Sequence, residues 1–395
     1  MENKYHIALE LTSQSIKLVA GFVLNEKVYV VDVIQRYCAG LKNGLIEDMD
    51  ETIKVLKEVI ANASQKLNYT IKDVSLILPP FNLACATDSG STNTIDGNDR
   101  IQHVDVSNII TQIKKRNFKE KDLKIIDVIP DRYYLDNNEQ YLVEPLGKIS
   151  ETLSLHASIY AISNKVVSLF ENCFEKAGIN IKYMTISPYA SSLYLSTIEG
   201  MPSSYILFDL GHSFSTITYV HQKTTIIKSS IVAFGGDDIT KYISKTFNIS
   251  YKDAEILKIK YGIDSDPCFE VPIKEGITFN RLADAITSSI KPFLNGAKKA
   301  IEELNPDKED LPIVLIGGTS SLKSIENLIA DELEQSVLTY QMLTIGARDR
   351  GLIPTLGLIK YCANQPHSNE EEKIDITISR VDNRKGGKVD LSEEL

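Results

Sequence analysis

Two acidic residues stand at the ends of strand-like runs, each beside a turn of small polar residues. Glu10 is followed by the turn that contains Ser13, and Asp209 is followed by a turn that contains Gly211 and Ser213. A carboxylate in this position can hold a hydrated metal ion while backbone N–H groups of the turn bind phosphate oxygens. An ordinary β-hairpin explains each motif equally well when it is taken alone.

The elements around these two residues repeat one pattern. Strands are predicted from Tyr5 to Leu11 and from Ile16 to Val23, and again on both sides of the turn within 205–220. The same strand, acidic residue, polar turn and strand occur about 200 residues apart, which suggests a duplicated architecture with a cleft between its halves. A helix predicted from Asp50 to Leu67 and a buried strand from Val74 to Leu78 follow the first copy.

Two glycine pairs follow later strands. Gly235-Gly236 ends a strand predicted from Thr224, and Gly317-Gly318-Thr319 connects a buried strand to a helix predicted from Ser321 to Glu334. A glycine turn before a helix lets a flat ligand approach the backbone without obstruction by side chains, although a plain strand–helix turn has the same sequence. Helices are also predicted at 237–247, 250–261, 279–304, where Pro292 is expected to kink or break the helix, and 353–362.

Residues 81–160 have a different character and are predicted to form a small α+β insertion. It contains a polar loop from Asp88 to Arg100, a short helix from Val104 to Lys115 and a strand from Leu123 to Pro130. Residues 367–395 are predicted to be a solvated tail, in which the alternating run 373–378 could add as a strand to a partner.

The composition of the chain limits the classes of protein to which it can belong. The chain has 395 residues, 43% of them hydrophobic, so about two domains with a large core are expected. A net charge of −10 argues against a general nucleic-acid binder. Five scattered cysteines favour reduced thiols in the cytosol over a disulfide framework. We predict no signal peptide, and no apolar run is long enough to span a bilayer.

Several runs resemble the actin, sugar-kinase and Hsp70 ATPase superfamily, and within it the FtsA family of bacterial cell-division proteins. The run 253–262 (DAEILKIKYG) is similar to that family's D-A-E-x-L-K-x-x-Y-G motif, and 125–136 (IIDVIPDRYYLD) to a strand of its insert domain. The runs 144–150, 234–240, 313–322 and 350–361 resemble further family segments. The resemblance covers about residues 5–362.

Both phosphate turns depart from the family pattern. The family's first turn reads D-I-G-T-S, where this chain has Glu10-Leu11-Thr12-Ser13-Gln14, and the second reads D-x-G-G-G-T, where it has the run 209–214 (DLGHSF). Side chains in place of glycine crowd the turn and restrict its positive-φ conformations. We therefore expect ATP to bind weakly or hydrolysis to be lost.

The resemblance implies an α/β, actin-like two-domain ATPase fold with duplicated ribonuclease-H-like halves and an α+β insert subdomain. The first lobe would comprise 1–80, 161–203 and 350–366, the insert 81–160, the second lobe 204–235 and 311–349, and its small subdomain 236–310. It also implies a nucleotide site, with Glu10 and Asp209 holding Mg²⁺ through water. The residues expected to contact ATP are Ser13, Gln14, Lys17, Asp209, Gly211, Ser213, Gly235, Gly236, Glu255, Lys258, Gly317, Gly318 and Thr319. No catalytic residue is assigned.

By the same resemblance, the chain would be a cytoplasmic scaffold at the inner face of the membrane at the division site. It would polymerise into filaments, bind the C-terminal peptide of FtsZ through 236–310 and recruit later division proteins through 81–160. The tail lacks the family's amphipathic helix, so the membrane anchor is expected to be truncated, absent or supplied by a partner. Two alternatives stay open: an ATP-hydrolysing phosphotransferase of the same superfamily, and an actin-like platform protein of pilus assembly.

Overall fold

The structure is a computed structural model that describes residues 5–116, 118, 122–263, 272–274, 276–305, 307, 309–342, 344 and 346–365. The predicted tail, with its strand-like run at 373–378, lies outside this part of the chain, as does Cys268. The four cysteines within it, Cys38, Cys85, Cys173 and Cys362, are free thiols.

Strands and helices alternate along the described residues. The strands are β1 (His6–Leu11), β2 (Ser15–Leu24), β3 (Lys27–Tyr37), β4 (Leu41–Lys42), β5 (Leu45–Ile46), β6 (Asp73–Leu78), β7 (Ala84–Asn93), β8 (Leu123–Leu135), β9 (Gln140–Tyr141), β10 (Thr152–Ser163), β11 (Asn180–Ile186), β12 (Tyr205–Leu210), β13 (Ser215–His221), β14 (Thr225–Val232), β15 (Pro272–Lys274), β16 (Ile277–Thr278), β17 (Ile313–Ile316) and β18 (Val337–Leu338). The helices are α1 (Met49–Leu67), α2 (His103–Lys114), α3 (Asn164–Ala177), α4 (Ser187–Leu195), α5 (Gly236–Phe247), α6 (Tyr251–Tyr261), α7 (Phe279–Leu304), α8 (Ile325–Leu333) and α9 (Ile353–Asn364), and the 3-10 helices are Gly318–Ser321 and Arg350–Leu352.

Two five-stranded sheets share one topology, as the repeated pattern predicted. The first has the order β11-β6-β1-β2-β3, and the second has the order β14-β13-β12-β17-β18. In each sheet an antiparallel hairpin, β1–β2 or β12–β13, lies beside a parallel strand, β6 or β17. The two acidic residues therefore occupy equivalent positions near the ends of β1 and β12.

Three groups of buried side chains form the hydrophobic core. The largest joins the first sheet to α1, α3, α4 and α9, and the second joins β12, β13 and β17 to α5, α6, α7 and α8. The third lies between α2 and the sheet β7-β10-β8-β9 of the insertion. The predicted domain boundaries themselves stay a prediction.

The predicted polar loop from Asp88 to Arg100 is wrong in its first half, because residues 84–93 form strand β7. Its backbone pairs residue by residue with β10, from Ala84 opposite Ala161 to Asn93 opposite Thr152. Ser89 and Ser91 are exposed on its outer face, and Gly90 packs against Ile109 of α2. A strand with one solvated face and a glycine on the other gives little hydrophobic alternation in the sequence.

Two other expectations differ in detail, and one segment had none. Helix α7 runs unbroken through Pro292 from Phe279 to Leu304. Helix α8 begins at Ile325 rather than Ser321, because the glycine turn continues as the 3-10 helix Gly318–Ser321. Strand β11 and helix α4, at 180–195, had no prediction.

Candidate functional site

The first hairpin turn is held by its own hydroxyl groups. The Thr12 backbone N–H donates to the Ser15 carbonyl at 2.8 Å, and the Ser15 N–H donates to Thr12 Oγ1 at 3.2 Å. Thr12 stands where a glycine would leave the turn free, so its side chain closes the turn and reduces the number of conformations open to the backbone. Ser13 at the tip is buried.

Lys17 lies opposite Glu10 in the β1–β2 register. Its Nζ is 3.3 Å from Glu10 Oε2 and donates to the Gly351 carbonyl at 2.6 Å. An ammonium group carries three protons, so Lys17 keeps one donor for a ligand. Both side chains are largely covered, at 13% and 16% exposure, which strengthens the ion pair relative to one in open water.

Asp209 occupies the equivalent place in the second hairpin, next to β17 in the parallel register with Ile316. Burial raises the pKa of Asp209 to about 7, the nearby charge of Glu10 raises it too, and Lys17 lowers it. A carboxylate in this setting gains from a cation placed beside it. Gly317 makes room for it: φ is +88°, and a Cβ atom there would lie 2.5 Å from Asp209 Oδ1.

The N-terminus of α5 is already occupied by the second hairpin turn. The Gly236 N–H donates to the Gly211 carbonyl at 3.0 Å, and the Asp237 N–H donates to the His212 carbonyl at 2.8 Å. These amides would otherwise be free to bind an anion at the helix end. A Cβ atom at Gly235 would lie 2.2 Å from the His212 carbonyl oxygen, so this close approach requires glycine.

Lys258 uses all three of its protons inside the fold. Its Nζ donates to the Gly236 carbonyl at 2.9 Å, to Thr240 Oγ1 at 2.8 Å and to Glu255 Oε2 at 2.7 Å. Thr240 is fully buried and also donates a hydrogen bond to Glu255. A ligand reaches the Lys258 ammonium only by displacing one of these acceptors.

The Gly317–Thr319 turn is fixed from two directions. Thr319 Oγ1 donates to the Gly211 carbonyl at 2.8 Å, which joins this turn to the second hairpin. On the other side, Arg350 Nη1 donates to the Ser320 carbonyl at 2.9 Å. The 3-10 helix at Arg350–Leu352 therefore connects this turn with Lys17 of the first hairpin.

These elements surround a cavity of about 710 Å³, a size that suits a small-molecule ligand or cofactor. Of the residues predicted to bind a nucleotide or metal, the structure places twelve on its wall: Glu10, Ser13, Gln14, Lys17, Asp209, Gly211, Gly236, Glu255, Lys258, Gly317, Gly318 and Thr319. Ser213 and Gly235 do not line it, although each is next in sequence to a residue that does.

Several lining residues were missed from the sequence. Gln35 of β3 reaches the cavity from the edge of the first sheet, and Phe214 of the second turn packs on Phe81 at a centroid distance of 5.4 Å. Arg348 and Asp349 line it from the loop before α9. The signal for the last two was weak, because the resemblance to the family's closing helix began only at Arg350.

His212 lines the cavity as well. Burial lowers the pKa of this imidazole, and the neighbouring Lys258 lowers it further, against the opposing effect of Asp237. The lowered pKa makes the ring a weaker base than an exposed imidazole, and the backbone carbonyl of His212 accepts the hydrogen bond from the Asp237 N–H of α5. Its place in the turn is that of a loop residue.

A magnesium nucleotide fits the charges on the wall better than a metal ion held by protein alone. Glu10 and Asp209 are close enough for their charges to interact. Within the described ranges, no group of three or more His, Cys, Asp or Glu side chains could ligate a metal. Magnesium commonly keeps several waters and takes other oxygens from substrate phosphates, so two carboxylates are enough for it.

Comparison with known proteins agrees with the motifs. The family model described as "Cell division protein FtsA" matches residues 206–353. The chain is 24% identical to Cell division protein FtsA of Enterococcus hirae over 385 residues, which are 94% of this chain and 86% of that protein. It is 23% identical to the FtsA of Bacillus subtilis, over 92% of this chain and 84% of that protein. The similarity to FtsA inferred from the sequence is thereby confirmed.

Solved structures agree on the fold. A chain of the PilM–PilN type IV pilus biogenesis complex superposes with a TM-score of 0.61 at 15% identity, covering 91% of this chain and 99% of that one. MreB5 of Spiroplasma citri, bound to ADP, superposes with a TM-score of 0.51 at 14% identity, covering 92% and 100%. At these identities the likeness shows the fold alone, and that fold is the predicted actin-like ATPase fold.

Proposed function

Since the chain is a relative of FtsA with an actin-like fold, we propose that it is a division protein that holds ATP in this cavity as a structural ligand. In this proposal it assembles head to tail into filaments, links FtsZ to the inner face of the membrane at the division site, and recruits later division proteins through 81–160. The lobes and subdomains predicted from the sequence are the units that would close over the nucleotide.

The main support is that distant parts of the chain converge on one cavity. Glu10, Asp209, Lys258 and Gly317 are contributed by four different elements, and all four line it. FtsA, the relative at 24% identity, is a division protein by name. The pilus-platform alternative rests on likeness of fold alone.

The turns favour retention of nucleotide over rapid hydrolysis. Thr12 closes the first turn, and the α5 amides already bind the Gly211 and His212 carbonyls. Hydrolysis needs a group that positions the attacking water, and the sequence suggested no residue for that role. We therefore propose at most slow ATP turnover, which counts against the phosphotransferase alternative.

The first experiment measures ATP and ADP affinity by calorimetry with and without Mg²⁺, for the wild-type chain and for Asp209→Ala. Removing a carboxylate that orients the hydrated ion should weaken Mg²⁺–ATP binding by about tenfold or more. Glu58→Ala, which removes an exposed carboxylate of α1, is the matched control and should bind as the wild type does. Equal affinity in wild type and Asp209→Ala would show that the site is wrongly placed.

The second experiment tests the FtsZ contact. Helices α5 and α6 expose Tyr242, Tyr251 and Ile256, at 42%, 43% and 52%. We propose that this α5–α6 surface receives the C-terminal peptide of FtsZ. Ile256→Asp should reduce binding of that peptide by about tenfold, the scale of a central apolar contact. The control is Ile149→Asp, which places the same charge at an exposed isoleucine of the insertion.

An unchanged affinity in Ile256→Asp would locate the contact elsewhere. Loss in both variants would indicate a general charge effect instead. Sedimentation of the chain with FtsZ filaments, and separately with ATP, tests the scaffold and polymer parts of the proposal. Turnover of ATP with a small-molecule acceptor would instead favour the enzyme alternative.

A further inference from the structure

The cationic side chains on the cavity wall differ in whether a carboxylate pairs with them. Lys17 is paired with Glu10 at 3.3 Å, and Lys258 is paired with Glu255 at 2.7 Å. Among the described residues that line the cavity, the remaining cation is Arg348, which forms no ion pair with any residue that the structure describes. The two lysines are thus largely neutralised by the fold, whereas the guanidinium of Arg348 keeps its charge for a ligand.

The backbone on both sides of Arg348 is held in place. Ala347 before it is buried, and its N–H donates to the Thr344 carbonyl at 3.1 Å. After it, Asp349 Oδ1 accepts from the Gly351 N–H at 2.8 Å, and the Gly351 carbonyl accepts from Lys17. The side chain of Arg348 is exposed at the wall, but it starts from a fixed point, which lowers the cost of ordering it on a ligand.

Donor counts favour the same residue. Lys258 has no proton left for a ligand, Lys17 has one, and the first amides of α5 are occupied. A guanidinium offers five N–H donors in a planar arrangement that suits phosphate oxygens. Among the cationic side chains of the described wall, Arg348 therefore keeps the largest number of unused donors.

From these observations we propose that Arg348 binds the phosphate groups of the nucleotide. The assignment rests on the proposed function in that it takes the ligand to be a nucleoside phosphate. It adds a specificity: the chain should prefer polyphosphorylated ligands, and the preference should depend on Arg348. Arg348 supplies the positive charge that the paired lysines do not.

The test measures affinities of wild type, Arg348→Gln and Arg348→Lys for ATP, ADP, adenosine and inorganic tripolyphosphate. We expect Arg348→Gln to bind ATP about tenfold more weakly, the scale of one charge-assisted hydrogen bond at a partly exposed site. The loss should become smaller for ADP and vanish for adenosine. Arg348→Lys should recover part of the affinity, since it keeps the charge but not the planar donor arrangement.

Arg132→Gln is the matched control, because Arg132 is an exposed arginine of the insertion whose Nη1 donates to Gln140. It should bind every ligand as the wild type does. Equal ATP affinity in wild type and Arg348→Gln overturns the assignment, as does a loss of the same size for adenosine, which would place the guanidinium at the base.

Tripolyphosphate separates this inference from the proposed function. Suppose that the wild type binds tripolyphosphate, that Arg348→Gln does not, and that neither binds ATP. The phosphate contact of Arg348 would then be supported, while the proposed nucleotide function would be contradicted. If the wild type binds neither ATP nor tripolyphosphate, both fail together. Urea midpoints close to the wild-type value in all three variants would show that the changes in affinity do not come from unfolding.

Discussion

At the scale of single residues, the carboxyl group of Asp209 is strongly affected by its surroundings. It lies beside Glu10 and Gly317 in a cavity wall, and burial together with the charge of Glu10 raises its pKa to about 7. In the unfolded chain the same carboxyl has an ordinary pKa near 4. Between these two values the folded protein binds a proton that the unfolded chain does not, so this residue makes stability fall as pH rises.

We predict that Asp209→Asn, without ligand, stabilises the fold at pH 8 by about 1–2 kcal/mol relative to wild type. The neutral amide has no charge to bury and no repulsion with Glu10. The difference should decrease as pH falls through 7 and approach zero below pH 4, where the wild-type Asp209 carboxyl is protonated in both the folded and the unfolded state. Urea denaturation between pH 4.5 and 8.5 measures it, and a variant less stable than wild type at pH 8 would contradict the pKa shift.

At the scale of elements, the hairpins were predictable and the contacts that complete the site were not. The β1–β2 and β12–β13 hairpins follow from apolar runs around short polar turns, and the α6 N-cap follows from Ser250, whose Oγ accepts from the Asp253 N–H. Strand β7 was missed because its register comes from β10, about 70 residues away in sequence.

Part of the candidate site depends on contacts between residues that are far apart in sequence, so it could not be predicted. Lys258 could be proposed as a ligand contact from the DAEILK run, but its engagement with Thr240 and Gly236 requires α5 and α6 to pack together. Arg348 reaches the cavity because the 3-10 helix after it joins the Gly317 turn to Lys17. No local pattern of residues encodes these contacts.

Helix α7 offers a prediction at this scale. Pro292 lies in its interior on an exposed face, while Ser289, Ile290 and Phe293 beside it are buried. Proline removes a backbone donor and crowds the preceding turn. We expect Pro292→Ala to stabilise the protein by about 1–3 kcal/mol in urea denaturation. Destabilisation would mean that the packing of α7 depends on a bend at this residue, which a crystal structure of the variant would reveal.

At the scale of the whole molecule, the insertion and the second five-stranded sheet are joined by a buried hydrogen bond. Tyr160 at the end of β10 accepts from the Ile226 N–H of β14 at 2.9 Å, next to the irregularity where β13 and β14 change register. Its ring packs on Tyr189 at 5.4 Å. A backbone donor that the sheet leaves unpaired is thus satisfied by a side chain from another sheet.

We predict that Tyr160→Phe lowers the free energy of unfolding by about 1–3 kcal/mol, because the ring stays but the buried N–H loses its acceptor. Tyr242→Phe, at a tyrosine of α5 that is 42% exposed, is the control and should have no measurable effect. Hydrogen exchange at the Ile226 amide provides a second readout. Unchanged exchange and stability would indicate that water replaces the hydroxyl.

The hydrogen bonds of Lys258 also connect the cavity with the packing of α5 against α6. The three hydrogen bonds that Lys258 donates connect Gly236 and Thr240 at the start of α5 with Glu255 of α6. A ligand that accepted one of these hydrogen bonds instead would weaken the connection between the two helices. The same two helices expose Tyr242, Tyr251 and Ile256, the residues of the proposed α5–α6 surface. If a nucleotide and a partner bind at these two places, as proposed above, thermodynamic linkage makes any effect reciprocal: the factor by which nucleotide alters the partner's affinity equals the factor by which that partner alters nucleotide affinity.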